Sequence, residues 1–230
     1  MIDANRVIGH WIKPQSRILD LGCGDGTLLR ELTNLHGIHG YGLEIDPESI
    51  NQCIANGVNV IQQDLNAGLA NFADNSFDTV LMTQTLQTLR YPHLVLDEML
   101  RIGRQCIVTF PNFGHWRTRS FLAFKGRMPV TKQLSYQWYD TPNIHFFTYK
   151  DFEALCAERE ISIVDRTFIG GRASDLSLDK IWPNLFAHTA VYHREISTYS
   201  NQSGNNEALP NETNAPDSGA VSATDSIPQH

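Results

Sequence analysis

The strongest constraint on this chain is a strand that gives way to a helix across a loop holding three glycines in five residues. Arg17–Leu21 is a short apolar run, Gly22-Cys23-Gly24-Asp25-Gly26 breaks it, and leucines at 28, 29, 32 and 35 follow with the spacing of a helix face. The pattern then repeats. Tyr41–Ile45 is a second apolar run, and Asp46-Pro47-Glu48 starts a helix, with Asp46 as cap, Pro47 in the first turn and Glu48 near the positive end of the helix dipole. Gly57 ends that helix. Val58–Gln62 and Phe77–Met82 read as third and fourth strands, a helix follows Pro92 (Leu94, Leu96, Met99, Leu100), and Cys106–Phe110 is a fifth strand. Apolar strands separated by helices pair in parallel through right-handed crossovers, which predicts a doubly wound sheet. Asp151–Arg159 reads as a further helix, and Ile161–Phe168 and Leu185–Tyr192 as two last strands, so residues 1–196 are predicted to form one α/β domain.

Composition narrows the function classes. The 230 residues are 41% apolar, enough for a sizeable core, and the net charge of −7 argues against whole-surface attraction to nucleic acid or anionic lipid. From Ser197 to His230 the chain turns to Ser, Thr, Asn, Ala, Gly and Pro, with Glu207, Glu212, Asp217 and Asp225 and no Lys or Arg. A disordered, acidic polar tail is expected there, because such a segment cannot offset its ordering entropy by burial. The body is left nearly neutral, at −3. No window approaches the ~18 consecutive apolar residues of a membrane span, and Met1–Arg6 lacks a basic stretch leading into an apolar one, so a cytoplasmic protein is expected. Cys23, Cys53, Cys106 and Cys156 lie far apart without CxxC pairing, which points to reduced, buried thiols. His36 and His39 have helical spacing but no further metal-ligating partners in sequence, and no metal site is expected.

In an open α/β sheet, ligands bind beyond the carboxyl ends of the strands. The first such loop is GxGxG, unlike the GxGxxG of dinucleotide sites, and no GK[ST] follows as in a phosphate loop. A side chain at Gly24 would block close approach of a ligand to the backbone. Asp20 and Asp25 beside the loop suit a ligand with a cationic group better than a pyrophosphate. The second strand ends at Leu43-Glu44-Ile45, where an acid can accept from a ribose diol, and the third runs out at Asp64-Leu65, where a carboxylate can accept from an adenine amino group. Taken in order, loop, ribose acid and adenine acid outline one nucleoside-sized ligand.

The strings from Arg17 to Gly26, then Glu44, Asp64 and Ser76-Phe77-Asp78, resemble the class I S-adenosylmethionine-dependent methyltransferases over about residues 15–170. The resemblance implies a Rossmann-like, mostly parallel seven-stranded sheet. It also implies a site for S-adenosylmethionine or S-adenosylhomocysteine formed by Asp20, Gly22, Gly24, Gly26, Glu44, Ile45, Asp64 and Leu65.

An aromatic and basic insertion follows the fifth strand, at about residues 111–147. It holds nine of the 22 aromatic residues, more than twice the share expected from its length. Arg117, Arg119, Lys125, Arg127 and Lys132 face a single acid, Asp140. Rings interleaved with arginines have the composition of binding hot spots. A protein partner, a lid that packs its rings onto the domain, and base stacking all use these residue types. Catalytic candidates are few: His115 and His145 in the insertion have the chemistry of a general base, and each also suits a structural hydrogen bond.

Three strings, Phe110–Arg117, Gly126–Thr131 and Trp138–His145, joined to Gly40–Asp46, resemble the MetW family of methionine biosynthesis proteins over residues 1 to about 170. That resemblance implies a protein that acts with, and activates, a homoserine O-acyltransferase. Phe113, Trp116, Arg117 and Arg119 are then the expected partner contacts, with no nucleic acid or membrane involved. An active methyltransferase on a small-molecule acceptor is the alternative.

Overall fold

The computed structural model describes residues 4–131, 134–170 and 182–195. The elements run α1 (Ala4–Trp11), β1 (Arg17–Leu21), α2 (Thr27–His36), β2 (His39–Glu44), α3 (Pro47–Ala55), β3 (Asn59–Gln62), β4 (Phe77–Thr83), α4 (Pro92–Ile102), β5 (Gly103–Pro111), α5 (Trp116–Lys125), α6 (Tyr149–Glu158), β6 (Asp165–Gly170), α7 (Pro183–Phe186) and β7 (Ala187–Glu195). Single 3-10 turns at Leu65–Ala67 and Leu86–Thr88 follow β3 and β4. The seven strands lie in the order β3-β2-β1-β4-β5-β7-β6. The first five pair in parallel, and β7 runs antiparallel to both β5 and β6. The expected polar tail, 197–230, lies outside the described residues.

Alternation along the central strands divides the core. Leu19, Leu21, Val80, Met82, Cys106 and Val108 face α4 and α6, where Val95, Met99, Phe152 and Cys156 meet them. Ile18, Leu81, Ile107 and Val191 face the other way, onto Val7 and Ile8 of α1, Leu29 and Leu32 of α2, and Cys53 of α3. Burial on both sides is why these strands read as unbroken apolar runs and not as alternating ones. All four cysteines are free thiols and buried.

Several boundaries differ from those read in sequence, each for a local reason. Strand β2 starts at His39 and stops at Glu44 because the Glu44 carboxylate takes the amides of Ile45 and Asp46, at 2.8 and 3.1 Å, which ends the ladder. Strand β6 begins at Asp165, where pairing with His193 begins. Ile161 and Ile163 pack on the core from the loop before it. Asp46 caps α3 as expected, accepting from the Ser49 amide at 2.9 Å. Helix α5 carries no helical apolar period, only Thr118 of its ten residues being buried, so periodicity passes over it.

The antiparallel β7 brings Glu195 beside Gln105 near the start of β5. There the Gln105 side-chain amide donates to the Trp11 carbonyl (3.1 Å), and the Trp11 ring stacks on His193 with centroids 5.1 Å apart. Helix α1 and the end of β7 thus meet at the pole of the sheet opposite the carboxyl ends of the parallel strands.

Candidate functional site

The glycine loop is held at nearly every backbone atom. The Gly22 and Cys23 amides donate to the Leu43 carbonyl at 2.9 and 3.1 Å, the Gly24 amide donates to Glu44 Oε2 at 2.8 Å, and Cys53 Sγ donates to the Gly24 carbonyl at 3.1 Å. The Thr85 hydroxyl, just past β4, lies 3.3 Å from the Gly22 carbonyl. Three glycines serve three causes. All have positive φ. A Cβ at Gly22 would press on Thr85 and one at Gly26 on Cys53 and Val58, whereas a Cβ at Gly24 would meet nothing within 4 Å and would project into open space. Gly24 therefore offers bare backbone to an incoming molecule.

Beside the loop lies a cleft of about 400 Å³ lined by Gly22, Leu43, Glu44, Ile45, Asp64 and Leu65 on one side. Gln84, Thr85, Thr88, Leu89 and Pro142 line the other. Of the residues expected for a nucleoside, Gly22, Glu44, Ile45, Asp64 and Leu65, from the ends of β1, β2 and β3, line this cleft, whereas Asp20, Gly24 and Gly26 are not among its lining residues. Glu44 is engaged more heavily than the sequence implies: its carboxylate accepts three backbone amides, from Gly24, Ile45 and Asp46. Asp64 caps the turn that follows it, its Oδ1 accepting from the Asn66 amide at 2.9 Å and from the Asn66 side chain at 3.0 Å. Glu44→Gln is expected to loosen the loop, since an amide nitrogen cannot accept from Gly24. Bonds to a carboxylate contribute about 1.5–3 kcal/mol each, and a drop of about 2 kcal/mol in urea unfolding checks the clamp.

Asp20 is the unusual group. It is 1% exposed, and neither carboxylate oxygen has a hydrogen-bond partner. Burial, with the Glu44 charge adding to it, pushes its pKa up to about 7. A buried carboxylate without a donor is costly alone and well matched to a cationic ligand group. Asp25 is an ordinary turn residue, its carboxyl held low by bonds from the Thr27 amide and hydroxyl. Burial pushes the Cys23 thiol well up, as a packed filler requires.

The two histidines part company. His115 caps α5, its Nδ1 accepting from the Arg117 amide at 3.3 Å, which uses the nitrogen a base would need. His145 is held by its backbone, its amide and that of Ile144 both donating to the Gln87 carbonyl at 3.0 Å, and its Nε2 is buried with no partner. Among the described residues, no three His, Cys, Asp or Glu side chains gather as a metal would require.

The expected partner contacts also divide. Phe113 packs at a tilt on Phe146 with centroids 5.1 Å apart and so serves the insertion itself, while Arg119 is exposed with its Nε donating to the Gly114 carbonyl at 2.5 Å. Trp116 is half exposed, with the Arg117 guanidinium 5.4 Å from its ring centre. The sequence reading passed over the most exposed rings: Phe124 at 86%, Trp138 at 73% and Tyr139 at 71%. It also missed Gln84, Thr85 and Pro142 in the cleft. Their position past the fourth strand and inside the insertion was the available signal, but Gln, Thr and Pro are common in any loop.

Solved structures with this fold include a SAM-dependent methyltransferase from Archaeoglobus fulgidus, with a TM-score of 0.61 at 15% identity, covering 84% of this chain and 94% of that one. The 4+2 cyclase SpnF is another, with a TM-score of 0.58 at 14% identity, covering 83% of this chain and 79% of that one. At such identities the likeness shows the fold alone, and one fold hosts several chemistries. Sequence is more specific. The bifunctional methionine biosynthesis protein MetXA/MetW of Rhodopirellula baltica is 36% identical over 194 residues, which are 78% of this chain and 31% of that protein. This chain thus spans about a third of the relative's length. The family model described as methionine biosynthesis protein MetW matches residues 3–194, taking in the glycine loop, the acids after β2 and β3 and the whole aromatic insertion. The chain belongs to the MetW family of methionine biosynthesis proteins.

Proposed function

We propose that this chain acts with a homoserine O-acyltransferase in methionine biosynthesis and raises its activity, while its cleft holds S-adenosylmethionine or S-adenosylhomocysteine. The relative that joins MetXA to MetW in one polypeptide carries the reading, with the MetXA part taken as the acyltransferase. Parts fused in one relative commonly act together in others as separate chains. Two features support the proposed ligand beside the cleft lining of Gly22, Glu44, Ile45, Asp64 and Leu65: Asp20, two residues before Gly22, is a buried carboxylate lacking a donor, and Gly24, two residues after it, leaves space against bare backbone. Asp20 would take the amine, Glu44 the ribose, and Asp64 with Leu65 the adenine. When bound, the methylated form supplies an electrophilic methyl group.

The partner surface in this reading is the exposed part of the insertion, with Trp116, Arg117, Phe124, Trp138 and Tyr139 at its centre. Exposed rings in such number mark a surface that another protein covers. The direct test is the initial rate of homoserine acylation by the cognate acyltransferase, with and without an equimolar amount of this chain. A rise of several-fold is expected. An unchanged rate, with the two proteins eluting apart, overturns the reading. Trp116→Ala combined with Trp138→Ala should raise the dissociation constant of the pair about 30-fold, the loss usual when central aromatic anchors are cut.

One observation favours a second reading, methyl transfer to a small acceptor. His145 Nε2 is buried without a partner, and Gln87, whose carbonyl takes the His145 backbone amide, has its Oε1 buried without one too. A polar acceptor molecule reaching His145 Nε2 would satisfy it. Turnover of S-adenosylmethionine by the chain alone, lost in His145→Ala, would move this reading to first place.

A further inference from the structure

The segment from Tyr136 to Phe147 has two sides with different uses. Its second half is pinned. The Ile144 and His145 amides bond the Gln87 carbonyl, the Phe113 amide donates to the Phe147 carbonyl at 3.1 Å, and Phe147 packs on buried Phe110 with centroids 4.7 Å apart. Asn143 is buried and its amide donates to Thr141 Oγ1 at 3.0 Å. Just before this anchor, Pro142 lines the same cleft as Glu44 and Asp64. Three and four residues earlier, Tyr139 and Trp138 pack edge to face at 5.7 Å and stand out into solvent. The anchor is also joined to the glycine loop. Gln87 donates to the Gln84 carbonyl at 2.6 Å, Thr88 to the Thr85 carbonyl, and Thr85 lies against Gly22.

From this arrangement we infer that residues 136–142 couple the two binding events. A nucleoside in the cleft and the acyltransferase on the Trp138–Tyr139 face each strengthen the binding of the other. The inference rests on the function proposed above and adds its regulation. Contact between the ligand and Pro142 fixes the segment from below, and contact with the partner fixes it from above. Whichever binds first meets the ordering cost, and the second binds a segment already in place. Linkage then requires the same factor in both directions.

The experiment is a calorimetric cycle with the full chain, the cognate acyltransferase and S-adenosylhomocysteine as probe. The dissociation constant of the two proteins is measured with and without saturating probe, and that of the probe with and without saturating acyltransferase. A tightening of at least 5-fold is expected, equal in the two directions within error. Pro142→Gly should bring the factor close to one. Because the factor is a ratio within one protein, any general weakening of that variant cancels. Proteins that associate equally well with and without the probe overturn the coupling and leave the proposed function standing. Proteins that do not associate under either condition overturn both. A chain that fails to take up the probe overturns the coupling, as does full coupling retained in Pro142→Gly.

Discussion

Asp20→Asn is expected to stabilise the ligand-free chain and to weaken its grip on an amine-bearing ligand about 100-fold. In the native fold the carboxyl has a pKa of about 7 against an ordinary 3.8, because burial removes its hydration and no donor replaces it. The sign follows from linkage. Below pH 4 both states are protonated and the group costs nothing; between pH 4 and 7 the unfolded chain releases a proton that the native chain keeps; above pH 7 the full penalty applies. A shift of this size corresponds to about 4 kcal/mol, and an unpaired buried amide offsets part of the relief. Urea unfolding at pH 8 should therefore show Asp20→Asn more stable by about 2 kcal/mol, the difference closing towards pH 4. Binding moves the opposite way. S-adenosylhomocysteine should bind the native chain more tightly as pH rises through 7, and Asp20→Asn about 100-fold more weakly at pH 8 with that pH dependence gone. A variant less stable than the native chain at pH 8 would show that Asp20 is already paired before any ligand arrives.

Gly42→Ala should damage fold and loop together. Gly42 sits in the middle of β2, in register with Asp20 on β1, and a Cβ there would lie 2.3 Å from Cys23 Sγ and 2.9 Å from Cys23 Cβ. Cys23 has little room to withdraw, since its sulfur already lies 3.7 Å from that of Cys53. Overpacking of this kind costs about 1–3 kcal/mol, and here the displaced residue lies between Gly22 and Gly24. Loss of about 3 kcal/mol of stability is expected, with S-adenosylhomocysteine binding lost beyond measurement. Adding Cys23→Ala removes the closer contact and keeps the other, so the double variant should recover part of both losses in a double-mutant cycle. Independent, additive effects would mean that the two residues do not press on each other.

The sheet was legible because its central strands are buried on both faces and its helices carry their caps. Asp46 and Pro47 mark the start of α3 in sequence as clearly as in space. The cleft residues Gly22, Glu44, Ile45, Asp64 and Leu65 were legible for a related reason. They follow successive parallel strands, so chain order and spatial order agree. What escaped lies where these conditions fail. Pro142 reaches the cleft from a distant insertion, and nothing in local spacing announces that. Helix α5 has no buried stripe, so its residues carry no period to read. The position of Glu44 at the end of β2 can be read from the apolar run before it, but its threefold engagement with backbone amides depends on loop dihedrals that residue types do not encode. The separation of Phe113, packed on Phe146, from Trp138 and Tyr139, which stand out into solvent, likewise depends on side-chain direction.

The reversed final strand has a further consequence for how such a module can be joined to another protein. Because β7 runs against its neighbours, the polypeptide returns to the pole where α1 lies, and Trp11 on His193 marks the junction. Residues 4 and 195, the two ends of the described module, therefore lie at the far end of the sheet from the cleft. For the partnership proposed above, covalent linkage there raises the local concentration of the attached enzyme. One architecture can thereby serve as a free subunit that finds its enzyme by diffusion, or as a segment of a longer polypeptide that never leaves it.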